Sequence, residues 1–180
     1  MAVRPLQPSD VPATVVRPAT PADVPALGRL GALLVRVHHE FDAARFIVPP
    51  ADIENVYTGF LGALLDEPDA VVLVAERDGD VVGYTYAAIE GTDFLALRGP
   101  AGVLHDLAVD PAHRAHGIGR MLVDATMAAL RARDVRQAVL FTAVQNESAQ
   151  RLFARAGFRP TMIEMTRELD DPVPCRPDRS

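Results

Sequence analysis

His113-Arg114-Ala115-His116-Gly117-Ile118-Gly119-Arg120 follows a hydrophobic, strand-like run from Gly102 to Val109 and opens a helical pattern from Ile118 to Arg133. Two glycines one residue apart remove β-carbons where the backbone turns, so several N–H groups can converge on one anion. The helix macrodipole adds roughly half a positive charge behind them. The stretch reads as a phosphate grip, and the rest of the chain has to supply a cofactor, a second substrate and a path for a proton.

Downstream, Ile118, Met121, Leu122, Ala125, Ala129 and Leu130 share one helical face, and the β-rich run Ala138 to Val144 follows. Strand, helix and strand within about 40 residues predict a parallel crossover pair. Asn146-Glu147-Ser148 caps a shorter helix carrying Ala149, Leu152, Phe153 and Ala156, which Gly157 ends as a left-handed residue before Phe158. Thr161 to Leu169 reads as the last strand. Upstream, Ala70 to Arg77 and Asp80 to Glu90 flank Asp78-Gly79, a strong hairpin signal. Thr20-Pro21-Ala22-Asp23 starts a helix in which Val24, Leu27, Leu30, Leu34 and Val37 recur at helical spacing. After Pro49-Pro50 a second pattern places Ile53, Val56, Tyr57, Phe60, Leu61, Leu64 and Leu65 on one face. A short strand at Val15 to Arg17 precedes both.

The chain has 180 residues, 49% hydrophobic and 23% charged, which suits one soluble domain over residues 15–169. Proline-rich ends at 1–14 and 170–180 read as poorly ordered tails. Cys175, the single cysteine, lies in the second tail and can form no internal disulfide. A net charge of −6 argues against a general nucleic-acid binder. The 18 basic residues are all arginine, which rules out a Gly-Lys-Ser/Thr phosphate loop and lysine Schiff-base chemistry. No apolar run is long enough to cross a bilayer, and Met1 to Ser9 lacks the pattern of a secretion signal, so the expected location is the cytoplasm. The histidines show no close metal-ligand spacing, and no metal is expected.

Glycines before a helix are often only a tight turn, so the context has to decide. A dinucleotide-binding fold would place a third glycine where this chain has Leu122 and would begin its domain with the motif. Here the motif comes late. That order, with Leu107-Ala108-Val109-Asp110-Pro111 before Arg114-Ala115-His116-Gly117-Ile118-Gly119, and Asn146 through Ala149, Leu152 and Phe153 to Gly157-Phe158, resembles the GNAT family of acetyl-CoA-dependent N-acetyltransferases. The resemblance spans roughly residues 15 to 169. It implies an α/β (α+β) fold with a mixed central sheet of about six to seven strands, splayed between two parallel strands and flanked by about four helices.

By that resemblance, a bulged strand at Leu107, Ala108 and Val109 would bond the pantetheine arm and the thioester carbonyl of coenzyme A, steadying the oxyanion that forms on attack. The backbone of Arg114, Ala115, His116, Gly117, Ile118, Gly119 and Arg120 would hold the pyrophosphate. Asn146 would reach the pantetheine, and the helix with Ala149 and Phe153 would wall the thiol. Many members carry a tyrosine at the position of Phe153, whose hydroxyl protonates the departing thiolate. Phenylalanine cannot, so no general acid is assigned, and a core aromatic accounts for it equally well. A homodimer is expected by family analogy alone.

A primary alkyl ammonium has a pKa near 10.4, so a base must take its proton before it attacks. His105 and Asp106 are the ionisable residues on the central strand, and alternation predicts that they face opposite sides. His105 has the better intrinsic pKa, and its spacing resembles that of the arylalkylamine branch, which carries a catalytic histidine there. It is the preferred base, with a hydrogen-bonded strand histidine as the alternative reading; Asp106 is the second candidate and more simply a brace for the next loop. His38, Glu40, Phe41 and Asp42 end the first long helix, in a region that forms one acceptor wall in the family. With Asp93 in the irregular Gly91 to Pro100 connection and Glu164, their carboxylates could attract a cationic amine. The expected activity is acetyl transfer from acetyl-CoA to a primary amine of a small molecule or peptide. An acyl-CoA-binding module without turnover is the alternative.

Overall fold

The computed structural model describes residues 13–169, so the expected tails lie outside it, Cys175 included, apart from residues 13 and 14. Nine principal elements follow in chain order: β1 (Val15–Pro18), α1 (Val24–Phe41), α2 (Ile53–Ala63), β2 (Ala70–Arg77), β3 (Asp80–Glu90), β4 (Ala101–Val109), α3 (Ile118–Arg131), β5 (Ala138–Leu140) and α4 (Glu147–Arg155). The strands form one sheet in sequence order, antiparallel from β1 to β4 and parallel only between β4 and β5. The hairpin turn works as its sequence predicts: Asp78 and Gly79 both take positive φ, 55° and 87°, as a primed turn requires.

Helices cover both faces. On one, α3 and α4 bury Ile118, Leu122, Val123, Leu130 and Phe153 against Val71, Leu73, Ala75 and Leu104. Polar atoms sunk there are matched, since the buried hydroxyls of Thr85 and Thr126 lie 2.8 Å apart and Thr126 also donates to the Leu122 carbonyl. Met121, expected in this face, is 39% exposed. On the other face α1 and α2 bury Leu27, Leu30 and Leu61 against Val72, Val74, Tyr84 and Tyr86. These two helices approach unusually closely. A β-carbon on Gly28 would fall 1.9 Å from Thr58 Oγ1, and one on Gly31 1.9 Å from Tyr57 Cδ1. Bare backbone at this crossing lets the Tyr57 ring settle onto α1.

Two expectations fail at the far edge. The sheet has five strands where six to seven are expected, because Thr161–Leu169 forms no strand. The run Ala138 to Val144 pairs only as far as Leu140, leaving Phe141 and Val144 exposed. Alternating, strand-forming residues need an edge to pair with, and a three-residue β5 offers too little. Residues 159–168 run instead without regular structure, tied to the α1–α2 connection by an ion pair between Arg45 and Glu164.

The start of α1 is locked by charge. Arg17 on β1 reaches both oxygens of Asp23 at 2.7 and 2.9 Å and also bonds Glu76 on β2 at 2.8 Å. Thr20 donates its N–H and its hydroxyl to the same carboxylate at 2.7 and 2.8 Å. These bonds, that of Arg17 foremost, outweigh the cost of burial and hold the Asp23 carboxyl from 3.8 down to about 2. A depressed carboxylate stabilises the fold above its unfolded pKa and loses that contribution as pH falls through the folded one, worth about 2 kcal/mol here. Asp23→Asn should therefore lower stability by about 2 kcal/mol at neutral pH, with the gap from wild type closing between about pH 4 and pH 2 in chemical denaturation.

Candidate functional site

The centre of the site is an irregularity in β4. Tyr86 pairs with Asp106 and Ala87 with Leu104, so His105 is the extra residue of a β-bulge. The expected bulge at Leu107 to Val109 thus sits two residues earlier. Alternation also fails there: a bulge breaks the two-residue period, and His105 and Asp106 reach the same face. The register makes this visible, because Tyr84 and Tyr86 share the α1/α2 face of β3. Asp106 accepts a 2.8 Å hydrogen bond from the Tyr84 hydroxyl, while the His105 ring stacks on Tyr86 at 5.0 Å and 19°.

The two neighbours differ in setting. Asp106 is buried at 9% exposure, whereas the His105 side chain is 37% exposed. Burial raises the Asp106 carboxyl above 3.8, against the Tyr84 bond and the nearby His105 and His38, which favour the anion. Burial and the Asp106 charge push the Tyr57 hydroxyl up to about 12 and the Tyr84 hydroxyl well beyond its ordinary range. The Tyr86 hydroxyl is raised by burial, Asp106 and Glu90. All three phenols are therefore proton-bearing donors around one carboxylate. Phe60 of α2 extends the aromatic wall, meeting Tyr86 edge to face at 5.8 Å.

His105 Nε2 lies 2.8 Å from Glu90 Oε1, and Arg98 bonds Glu90 Oε2 at 2.7 Å. Arg98 is presented by a small clasp, with paired backbone bonds of 2.8 and 2.9 Å between Asp93 and Arg98. Asp93 Oδ1 accepts from the N–H groups of Leu95 and Ala96, which hold its carboxyl below the ordinary value. That carboxylate is spent on the turn it builds.

β4 parts from β5 after Leu104, so its last five residues, 105–109, have no strand on that side. This is the splay that the sequence resemblance implies. At the end of β4, Asp110 bonds Arg29 of α1 at 2.8 Å and the Ala112 N–H at 3.0 Å. Burial raises its pKa, but those partners win and the carboxyl stays below 3.8. The chain then passes Ala115 at φ 64° and Gly117 at φ 77° into α3. Among the described residues, no N–H group of residues 115–120 finds a backbone or side-chain acceptor, and no side chain caps the helix. A β-carbon on Gly117 would meet nothing within 4 Å, so these amides border open space. Gly119 packs the helix start onto β4 and α4, where a β-carbon would lie 3.2 Å from Leu152 Cδ2 and 3.9 Å from Val109 Cγ2. Ile118 is buried beneath.

The arginines flanking the turn have structural partners. Arg114 Nε donates to the Val109 carbonyl at 3.1 Å, and Arg120 bonds Asp124 and the Arg155 carbonyl, both at 2.7 Å. The exposed His116 Nδ1 donates to the His113 carbonyl at 3.3 Å. Asn146 Oδ1 caps α4 by accepting from the Ala149 N–H at 3.2 Å and the Ser148 hydroxyl at 3.1 Å, and among the described residues its amide N–H groups have no acceptor. Phe153 is buried and meets Phe158 at 5.9 Å, as a core aromatic does.

The acceptor cluster divides. His38 Nδ1 donates to the Leu34 carbonyl at 2.8 Å, its ring meets Phe41 and Phe46 at 5.9 and 5.0 Å, and it is near enough to Asp106 to favour that carboxylate's anionic form. Asp42 Oδ1 accepts from the N–H groups of Ala44 and Arg45, both at 3.1 Å, and Glu40 is exposed. Glu164, placed by the sequence on a strand, is held by Arg45 in an irregular segment, and that pairing depresses its pKa. Tyr57, Tyr84, Tyr86, Glu90 and Arg98 escape the sequence reading. The period-two tyrosines on β3 are visible there, but their pairing with His105 and Asp106 depends on the bulge. Among the described residues no group of three histidine, cysteine or acidic side chains is arranged to hold a metal, and no helix is long and apolar enough to cross a membrane.

A mixed sheet that parts between its two parallel strands, with an uncapped helix start packed at the parting, is the fold class that the sequence resemblance implies. The acetyltransferase (GNAT) family model matches residues 34–158, and the chain belongs to that family. Mycothiol acetyltransferase of Thermobispora bispora is 38% identical over 96 residues, covering 51% of this chain and 31% of that protein. The chain thus spans about a third of that relative's length. A putative [ribosomal protein bS18]-alanine N-acetyltransferase of Bacillus subtilis is 27% identical over 122 residues, covering 68% and 72%. The structure of a predicted acetyltransferase with acetyl-CoA from Clostridium acetobutylicum superposes with a TM-score of 0.64 at 18% identity, over 87% of this chain and 97% of that one.

A raised carboxylate pKa means that the fold binds the proton more tightly than the unfolded chain, so ionising Asp106 costs stability as pH rises above the unfolded value of 3.8. Asp106→Asn keeps an oxygen for Tyr84 and removes the charge. Its thermal stability relative to wild type should rise as the pH increases above the unfolded value of 3.8; a difference that is flat with pH would contradict the raised carboxyl.

Proposed function

We propose that residues 15–169 form one N-acetyltransferase domain that uses acetyl-CoA to acetylate a primary amine of a small molecule or peptide. The observation that carries this reading is the row of unpaired amides at 115–120 beside the parting of β4 and β5. These residues fit the cofactor: convergent N–H groups at a helix start suit a pyrophosphate, and the unpaired side of Leu107 to Val109 suits a pantetheine amide and a developing oxyanion. The Asn146 amide and the α4 face with Ala149 and Phe153 would complete that groove.

Acetyl-CoA, when bound, supplies an activated carbonyl carbon at which a C–N bond forms as the C–S bond breaks. The chain has to take a proton from the amine. His105 is the preferred base because it is exposed, placed in the bulge and oriented by Glu90; Asp106, next to it and bonded to Tyr84, is the alternative. His38 and Phe41 would form part of the acceptor wall. Phe153 can give no proton to the leaving thiolate, which favours, as a second reading, a domain that binds acyl-CoA without turnover.

Thermal shift with acetyl-CoA against NAD, then thiol release across a panel including an alkylamine, an arylalkylamine, an aminoglycoside and an alanine-terminated peptide, separates these readings. Thiol release with at least one amine is expected; binding without release across the panel would favour the second. His105→Ala should lower turnover at neutral pH on the order of 100-fold while leaving acetyl-CoA affinity near wild type. Gly117→Val places a β-branched residue at φ 77° in the open space before α3. It should weaken acetyl-CoA binding by about tenfold or more, read by calorimetry.

A further inference from the structure

We propose that Glu90, clamped by Arg98, is a positioning residue that fixes the His105 tautomer, so that Nδ1 is the atom that receives the proton of the acceptor amine. The inference rests on the acetyl-transfer reading for the amine, but not for the tautomer.

A neutral imidazole carries its proton on one nitrogen, and its partners decide which. A carboxylate can accept a hydrogen bond and cannot donate one. Glu90 Oε1, 2.8 Å from Nε2, therefore requires the proton on Nε2 and leaves a lone pair on Nδ1. Among the described residues nothing bonds Nδ1, and the half-exposed ring gives it room for an incoming amine. Tyr86 sets the plane of the ring by stacking at 5.0 Å and 19°. Glu90 in turn cannot swing away, because Arg98 holds its second oxygen at 2.7 Å.

Arg98 is itself unusual: its side chain is only 10% exposed, and the Asp93–Arg98 backbone pair fixes where it emerges. Arg98 also lies 3.9 Å from Asp93 Oδ2 and donates to the Gly99 carbonyl at 3.2 Å, so its guanidinium is fixed on three sides, more than a surface ion pair needs. The series Arg98, Glu90, His105 runs from the loop across β3 to the bulge in β4, and the bulge turns the ring toward Tyr86. The charged or titratable groups near this ring are Glu90 and the stacked Tyr86 on β3, Arg98 in the loop, Asp106 beside it on β4 with its partner Tyr84, and His38 on α1, which acts on Asp106. Of these, Glu90 is the group hydrogen-bonded to the imidazole.

The test uses the full chain labelled with 15N-histidine and two-bond 1H–15N correlation spectra, with His105 assigned by its disappearance in His105→Ala. Wild type should show the Nε2–H tautomer. Glu90→Gln, nearly isosteric, presents a group that can donate or accept, so both tautomers should appear. In that variant kcat for thiol release should fall on the order of 10- to 100-fold, with KM for acetyl-CoA unchanged within about twofold. An Nδ1–H tautomer in wild type, or a Glu90→Gln protein with an unaltered spectrum and unaltered kcat, overturns the proposal. If no amine in the panel releases thiol with the wild type, acetyl transfer fails as a reading, and the spectra alone decide whether Glu90 sets the tautomer.

Discussion

The bulge at His105 is the constraint on which the site depends. A regular β4 would place His105 and Asp106 on opposite faces, one against α3 and the other against α1. One extra residue instead turns both toward the α1/α2 side, where Tyr57, Tyr84, Tyr86, His38 and Glu90 assemble around them. The same residue interrupts the ladder just where β4 loses its parallel partner. Bulge and splay together leave the last half of the strand able to bond something other than protein.

Around this irregularity the fold is regular and well satisfied. Buried hydroxyls are matched at Thr85 and Thr126, the charge of Asp23 is met by Arg17 and Thr20, and both faces of the sheet are covered. Departures from that rule concentrate at the proposed groove. Among the described residues the start of α3 has neither cap nor acceptor for its first amides, and Asp106 is a carboxylate buried against its own solvation. Features that cost stability, gathered at one place in an otherwise satisfied fold, are the physical ground for proposing the groove there.

The close crossing of α1 and α2 belongs to the same design. Gly28 and Gly31 cost helix stability, roughly 1 kcal/mol each relative to alanine, and gain nothing locally. Gly28 makes room for Thr58 and the Glu54 carbonyl, and Gly31 for the Tyr57 ring, whose hydroxyl feels the Asp106 charge. In the same way the Gly91 to Pro100 connection looks irregular in sequence, yet its Asp93–Arg98 clasp is what delivers a guanidinium to Glu90.

Periodicity and local chemistry were enough to reveal the helices, the Asp78-Gly79 hairpin, the capped starts at Thr20 and Asn146 and the turn at 115–117 that opens α3. Each of these depends on neighbours in sequence, so the residues carry the signal themselves. The strand count, the faces of His105 and Asp106 and the partnership of Glu90 with Arg98 depended on pairing register. Register is decided by which edges are free and where one residue is left over, and neither can be read along a single strand. Thr161–Leu169 has the pattern of a strand but no edge to join, while His105 has the position of an alternating residue but sits in a bulge. Composition carried the candidates for the chemistry; only the tertiary structure decided which of them meet.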